Sequence, residues 1–302
     1  MTLENNFNPS AGIAEVLETG LRRILAPNPS PMTWRGTNTY IVGHGRVAVI
    51  DPGPEIPAHF NAIMAATHGH AIEAILVTHS HTDHSPLART LADATGAPVF
   101  AYGDSMAGRS QVMKDLVARG MSGGGEGIDA SFKPDHCLKD GETVSGPDWS
   151  LRALWTPGHI GNHLCFEWQD ALFTGDHVMG WASSLVSPPD GDLTQFMASC
   201  ARLASRKDRI YYPGHGAPVS DPADRIGWLI SHREMREAQI LAAMDTSPAT
   251  VQSLTATIYT DIPAALIPAA ERNVLAHLLD LVARKVITAD QPLPTNAQFI
   301  RV

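Results

Sequence analysis

The sequence predicts a loop-rich α/β chain with a large domain at residues 1–221 and a small helical one at 222–302. Three observations carry that expectation. Four apolar strand-like runs each end in a Gly/Pro or His/Asp loop bearing a potential ligand: His79 to His84, His159, Asp176 and His215. Glycine and proline number 25 and 22 in 302 residues, which suits turns between short elements better than a helical bundle. After Asp221 the pattern changes to helices followed by two short strand-like pieces.

Taken in order, residues 1 to about 20 read as a polar segment, and Leu21–Leu25 opens strand-like structure. Pro27-Asn28-Pro29-Ser30-Pro31 is a loop, because proline lacks the amide donor and restricts its neighbours. Thr37–Val42 and Val47–Ile50 form a hairpin around Gly43-His44-Gly45, closed by Asp51-Pro52-Gly53. Pro57–Thr67 is a helix with Ile63 and Met64 on its apolar face, and Ala74–Val77 is a buried strand. Leu87–Ala94 is a helix after Pro86, stopped at Gly96, and Pro98–Tyr102 is a strand. Asp104–Arg119 reads as helical, and Ser122-Gly123-Gly124-Gly125-Glu126-Gly127 as a surface loop. No Lys-Ser/Thr follows that run, so it is not a nucleotide-binding P-loop.

Asp148–Trp155 is a strand running into Thr156-Pro157-Gly158-His159. Leu164–Trp168 and Ala171–Phe173 are strands joined by Gln169-Asp170, the second leading to Thr174-Gly175-Asp176. Leu193–Arg206 is a helix with Phe196, Cys200 and Leu203 on one stripe, and Ile210–Tyr212 leads into Pro213-Gly214-His215-Gly216. Asp221-Pro222 is a helix start. That helix runs to Met244, buries Ile226, Leu229, Ile230, Ile240 and Leu241, and breaks at Thr246-Ser247-Pro248. A short helix, a second helix over Ala269–Ala283 and strands near Val286-Ile287 and Phe299-Ile300 complete a winged-helix outline.

The formal net charge of −9 lowers the prior for nucleic-acid binding without removing a local basic patch. Three cysteines and no Cys-x-x-Cys disfavour a disulfide framework or thiolate zinc site and fit a reduced, cytoplasmic setting. Met1–Ser10 lacks a basic segment followed by an apolar one, so no secretory signal is expected. No apolar run approaches the roughly 18 residues a membrane span requires, so no membrane partner is expected.

The chemistry centres on Thr78-His79-Ser80-His81-Thr82-Asp83-His84, directly after an apolar strand. Residues two apart in extended chain point the same way, so His79 and His81 share a side. Imidazole and carboxylate suit zinc and similar borderline metals. Seven ligands suit two ions: His79, His81 and His159 for one, Asp83, His84 and His215 for the other, and Asp176 bridging both. Each ion then keeps an open position for a shared water or hydroxide, available near neutral pH. Zinc is the first expectation; iron and manganese also accept these ligands. Imidazoles need their second nitrogen fixed by an outer partner, and Asp51 at a strand end is the candidate, with turning the chain before Pro52 as its alternative role. Asp83 is also the candidate catalytic carboxylate. His163 and His177 sit beside the motifs; His163 is the candidate substrate contact, against a supporting or solvent role. Trp149, Trp155, Trp168 and Trp181 are core or pocket wall, and His232 either reaches the pocket or packs.

Thr-His-x-His-x-Asp-His followed by His159, Asp176 and His215 resembles the metallo-β-lactamase superfamily signature, over about residues 20 to 220. The resemblance implies an αββα sandwich with metals at one edge of the sheets. Pro27–Pro31, Gly36-Thr37-Asn38-Thr39-Tyr40, Asp51-Pro52-Gly53, Tyr212–Gly216 and Ser231-His232-Arg233 are similar to the β-lactamase-like-protein-2 group. That group carries a C-terminal winged-helix-like domain; its animal member is a single-strand-specific endoribonuclease, and fungal relatives are thioesterases acting on carrier-bound polyketides. Ile160-Gly161-Asn162 departs from the threonine and acidic residue often found after the third-motif histidine, and the 104–134 segment is expanded as a pocket wall. No cysteine stands at a ligand position, which disfavours a secreted β-lactamase, and neither a β-CASP-sized insertion nor a flavin domain is present.

Three functions follow as expectations: a single-strand RNA endonuclease, an ester or thioester hydrolase of glyoxalase II-like type, and a non-catalytic metal-stabilised scaffold. Residues 222–302 carry seven Lys/Arg against eight Asp/Glu, which weakens the RNA reading, although Arg272, Arg284, Lys285 and Arg301 could still cluster. Seven protein ligands over two ions leave room for water, which weakens the scaffold reading. Single-stranded RNA or a small ester or thioester is the expected partner, with a homodimer as a further one.

Overall fold

Alternation within the strands sorts the side chains into three layers. In the strand Asn38–Val42, Tyr40 and Val42 join one core while Ile41 joins another. The computed structural model describes residues 7–122, 127–244, 247–292 and 297–302. The start of the polar N-terminal segment, the glycine run at 123–126 and the helix-breaking Thr246 lie outside the described residues.

The first sheet takes its strands in chain order: β1 (Ala14–Glu18), β2 (Leu21–Leu25), β3 (Asn38–Val42), β4 (Arg46–Ile50), β5 (Ala71–Leu76), β6 (Val99–Ala101) and β7 (His136–Cys137). β1 to β4 pair antiparallel and β4 to β7 parallel. The parallel steps need crossovers. Helices α1 (Pro57–Ala66) and α2 (Leu87–Thr95) supply the first two. The second sheet has the order β12 (Ile210–Pro213), β11 (Ala171–Gly175), β10 (Leu164–Trp168), β9 (Ser150–Trp155) and β8 (Thr143–Ser145). Its β11–β12 pair is parallel, connected through α4 (Leu193–Ala204).

Leu21, Tyr40, Val42, Ile50 and Leu76 of the first sheet meet Leu151, Phe166, Phe173 and Tyr212 of the second in the central core. On the outer face of the first sheet, Ile41, Val49 and Ile75 pack on Ile63, Leu87 and Leu91. On the outer face of the second, Leu154, Leu172 and Tyr211 pack on Leu203, Ile226 and Leu229. This is the helix–sheet–sheet–helix sandwich that the resemblance implies. Each fully buried large apolar side chain contributes on the order of 1.5–3 kcal/mol.

The C-terminal part begins on α5 (Pro222–Ala243). Asp221 caps it by accepting from Asp224 N, with Pro222 in the first turn. Helices α6 (Val251–Ile258) and α7 (Ile267–Ala283) and the hairpin β13 (Ile287–Ala289) with β14 (Phe299–Arg301) complete the winged-helix arrangement. Their core extends to α3 (Gln111–Ala118), whose Met113 and Leu116 pack with Ile240, Leu278 and Phe299.

Several expectations are corrected. The polar N-terminal segment contains strand β1, which is largely exposed and so lacks an apolar signal. Helix was expected from Asp104, but α3 starts only where Ser110 caps it. The edge strands β7 and β8, two and three residues long, carry too little pattern to be read. Ile230 and Leu241 are half-buried rather than core. Among the described residues no helix is long and apolar enough to cross a membrane.

Candidate metal centre

The strand ends bring the seven expected ligands to one edge of the sandwich. Two groups form: His79, His81, His159 and Asp176, and Asp83, His84, Asp176 and His215. Within each, the donor atoms all lie within 4.8 Å of one another. Asp176 belongs to both. Its Oδ2 lies 3.3 Å from His215 Nε2 and 3.8 Å from His159 Nε2, and its Oδ1 lies 3.4 Å from His84 Nε2. Asp83 Oδ2 stands 3.1 Å from His215 Nε2 and is the more exposed carboxylate.

Four outer hydrogen bonds choose the ring nitrogen that faces inward. Asp51 Oδ1 accepts from Thr78 N at 2.7 Å, and Asp51 Oδ2 from Thr78 Oγ1 at 2.7 Å. Thr78 Oγ1 has then given its proton away and accepts from His79 Nδ1 at 2.9 Å. Asp51 Oδ2 also accepts from His84 Nδ1 at 3.0 Å. Leu185 O accepts from His159 Nδ1 at 2.6 Å, and Gly36 O from His215 Nδ1 at 3.1 Å. All four rings thus present Nε2, while His81 presents Nδ1.

The loops are tied to each other across the sheets. Asn38 donates through Nδ2 to Pro213 O and Gly216 O, and Tyr40 OH donates to Pro213 O at 2.7 Å. This fixes the Pro213–Gly216 loop. A Cβ at Gly214 would lie 2.5 Å from Asp176 Oδ1, so only glycine lets that backbone pass.

The donor set fits two cations. His79 Nε2 and His81 Nδ1 lie 2.9 Å apart, and His81 Nδ1 and His159 Nε2 3.1 Å, so lone pairs converge on one point. Burial and neighbouring rings hold His79 well below the usual imidazole range and His81 down at about 3, so both stay neutral, as ligands must. In the second group burial also disfavours charge, but it is outweighed. Asp83, Asp176 and Asp51 hold His84 well above its usual range, and Asp176 and Asp83 lift His215 to about 10. The carboxylates call for positive charge at this spot, which a divalent ion would supply. Asp176 Oδ1 has no hydrogen-bond partner.

His163 is fully buried beneath the site, 5.1 Å ring to ring behind His79, with Nδ1 2.9 Å from Thr156 Oγ1. His177 is buried against Phe196 and Cys200. Asn162 is also buried and donates to Ser80 Oγ and Asp104 O, both at 2.9 Å. Trp149 and Trp168 are core, Trp155 stacks on Tyr102, Trp181 stacks on Trp34, and His232 stacks on Trp228 at 4.9 Å.

The 104–134 segment, expected as a pocket wall, contributes Ile128 beside the ligands, but the facing residues were passed over: Leu185, Ser187 and Asp190 line a cavity of about 10 Å³ with Ile128, His81 and His159. Ser187 is 5% exposed and its Oγ has no hydrogen-bond partner. Asp190 is ion-paired with Arg109. The signal available was only Ser-Pro-Pro-Asp-Gly-Asp before a helix, which reads as a loop and cap.

A metallo-β-lactamase superfamily model matches residues 32–215, and a β-lactamase-associated winged helix domain model matches residues 250–291. The chain is 32% identical over 253 residues to the lactamase-like protein aptB of Emericella nidulans, covering 82% of this chain and 72% of that protein. It is 30% identical over 245 residues to an atrochrysone carboxyl ACP thioesterase of Aspergillus fumigatus, covering 78% and 68%. Among solved structures, a β-lactamase domain protein from Burkholderia ambifaria superposes with TM-score 0.80 at 20% identity, over 99% of this chain and 96% of that one. A metallo-β-lactamase family protein from Thermus thermophilus superposes with TM-score 0.75 at 25% identity, over 95% and 100%. Signature, sandwich and matched models agree: the chain belongs to the metallo-β-lactamase superfamily, carries the associated winged helix domain, and is a hydrolase by class.

Proposed function

We propose that this hydrolase cleaves a thioester or ester with two divalent ions, zinc first, held by His79, His81, His159 and Asp176 and by Asp83, His84, His215 and the same Asp176. The observation that carries the reading is the pair of ligand groups sharing Asp176 at one edge of the sandwich. When bound, such ions lower the pKa of water and polarise the bond under attack. The greater exposure of Asp83 supports it as the carboxylate that would take a proton from the attacking water and return it to the leaving thiolate. The unpartnered Ser187 Oγ, in the small cavity it shares with His81 and His159, supports it as the group that would donate to the substrate carbonyl. His163 supports the His79 ring from behind. The relative named a thioesterase favours this substrate class.

The RNA reading has less behind it. Arg225 donates to Met179 O and Ala182 O, Arg233 to Asn273 and Ser184 O, and Arg284 pairs with Asp280 and Glu237. Arg225 and Arg233 are buried against the protein itself, and the exposed Arg284 is held between two carboxylates, while phosphate binding needs cations free to meet it on a surface. The domain boundary is taken at 221/222. A cytoplasmic setting suits Cys137, Cys165 and Cys200, all unbridged.

The test is thiol release from a panel of acyl thioesters by zinc-loaded protein, with end-labelled single-stranded RNA in parallel and Asp83→Ala as control. Thioester turnover lost in the variant is expected. RNA cleavage lost in the variant, with the thioesters untouched, would overturn the proposal.

A further inference from the structure

We propose that Arg233 and Asn273 of the C-terminal helices are positioning residues for the metal centre, acting through one peptide plane on His159. The inference rests on the two-ion reading above.

His159 Nδ1–H donates to Leu185 O at 2.6 Å, which turns Nε2 toward His81 and Asp176. Leu185 lies in residues 183–187, which have no regular secondary structure. No strand or helix ladder therefore sets the direction of that carbonyl, and something else must.

The C-terminal helices do so. Leu185 C=O and Val186 N–H belong to the same rigid peptide unit. Val186 N–H donates to Asn273 Oδ1 on α7 at 3.2 Å. The chain of bonds runs from Asn273 through one planar amide to His159. Rotating the plane to suit one end misaligns the other. Bonds in series also polarise one another, so Asn273 increases the acceptor strength of Leu185 O.

Arg233 on α5 locks the arrangement. Its guanidinium donates to Asn273 Oδ1 at 2.9 Å and to Ser184 O, the carbonyl on the other side of Leu185. Both peptide groups flanking Leu185 are thus held. Ser184 Oγ donates in turn to the backbone carbonyls of Asp176 and His177, so the bridging ligand is joined to the same segment. Val186 packs with Leu193, Phe196, Cys200 and, from α7, Ala276.

Arg233 is 3% exposed, with its guanidinium 5.1 Å from the centre of the Phe196 ring. Burying a guanidinium is costly, and an apolar side chain of similar volume glues helices as well or better. A buried arginine at this place is explained by the oxygens it orients.

The test uses the full chain, stripped of metal and titrated with Co²⁺ and Zn²⁺ against a chromophoric chelator. It compares wild type, Arg233→Lys, Asn273→Ala, Asn273→Asp and, as control on the same helix, Arg236→Lys. Circular dichroism melting reports folding separately. Wild type is expected to take two ions. Asn273→Ala and Arg233→Lys should weaken one of them by about 10–100-fold, the usual effect of losing a partner behind a histidine ligand. The Co²⁺ absorption bands of that ion should shift while the other ion holds. Asn273→Asp keeps the acceptor and should recover most of the affinity. Arg236→Lys should match wild type.

If Asn273→Ala melts at a lower temperature yet binds both ions as wild type does, with unchanged bands, the residues are interdomain glue and the inference is wrong. Should Arg233→Lys not fold, the Asn273 pair decides, because Asn273 is only half-buried. A wild-type protein that takes up no ion would remove the two-ion reading itself, an outcome distinct from the first.

Discussion

Asp51 binds His84 from outside the ligand ring: its Oδ2 accepts from His84 Nδ1 at 3.0 Å while also accepting from Thr78 Oγ1. Asp51 adopts φ of 49°, a left-handed conformation that aspartate tolerates better than most residues. The turn before Pro52 and the grip on His84 are therefore one device. Asp51→Asn keeps the shape but gives the site an amide NH₂ where one of three donors needs an oxygen. We expect ion affinity to fall about 10–100-fold with the fold intact, measured by chelator competition and circular dichroism.

The sharing of Asp176 predicts unequal losses of metal. Asp83 belongs to one ligand group, Asp176 to both. Asp83→Ala should keep about one ion per chain and Asp176→Ala close to none, read by elemental analysis after gel filtration. Equal content in the two variants would contradict the bridging role.

Ser187→Ala removes a hydroxyl that has no protein partner, so folding stability should change little. If Ser187 meets the substrate carbonyl, thioester kcat/KM should fall about 3- to 10-fold, the worth of one hydrogen bond, with metal content unchanged. An unchanged kcat/KM would remove Ser187 from the site.

His59 couples stability to pH. It is buried, its Nε2–H faces Thr39 Oγ1 at 2.8 Å, and its Nδ1 has no acceptor for a second proton. Burial lowers it to about 4 from 6.5. The unfolded chain then binds the proton first as pH falls. Stability is full above 6.5, declines between 6.5 and about 4, and levels below that. Urea melts of metal-free protein across this window should show His59→Phe with a shallower decline than wild type. Identical slopes would refute the assignment.

How much of this was legible in the sequence depends on the range of the interaction involved. His79, His81, Asp83 and His84 lie within six residues after an apolar strand, so local spacing sufficed to propose them. The same held for Asp221-Pro222, a cap and first-turn proline that start a helix wherever they occur. Strand β1 was missed because both its faces are largely exposed, leaving no alternation to read.

By itself the sequence determined the succession of short strands and helices, the candidate ligands and their order along the chain, since these follow from apolar periodicity and side-chain chemistry, while the sandwich was implied by the resemblance its signature carries. Only the tertiary structure decided which nitrogen each imidazole presents, because Asp51, Leu185 and Gly36 reach their histidines from distant parts of the chain. It alone decided that Arg233 and Asn273 stand behind Leu185, 49 and 87 residues from the backbone atoms they bind. Hydrogen bonds across such separations leave no periodic trace, since their partners meet only after the sheets and helices have packed.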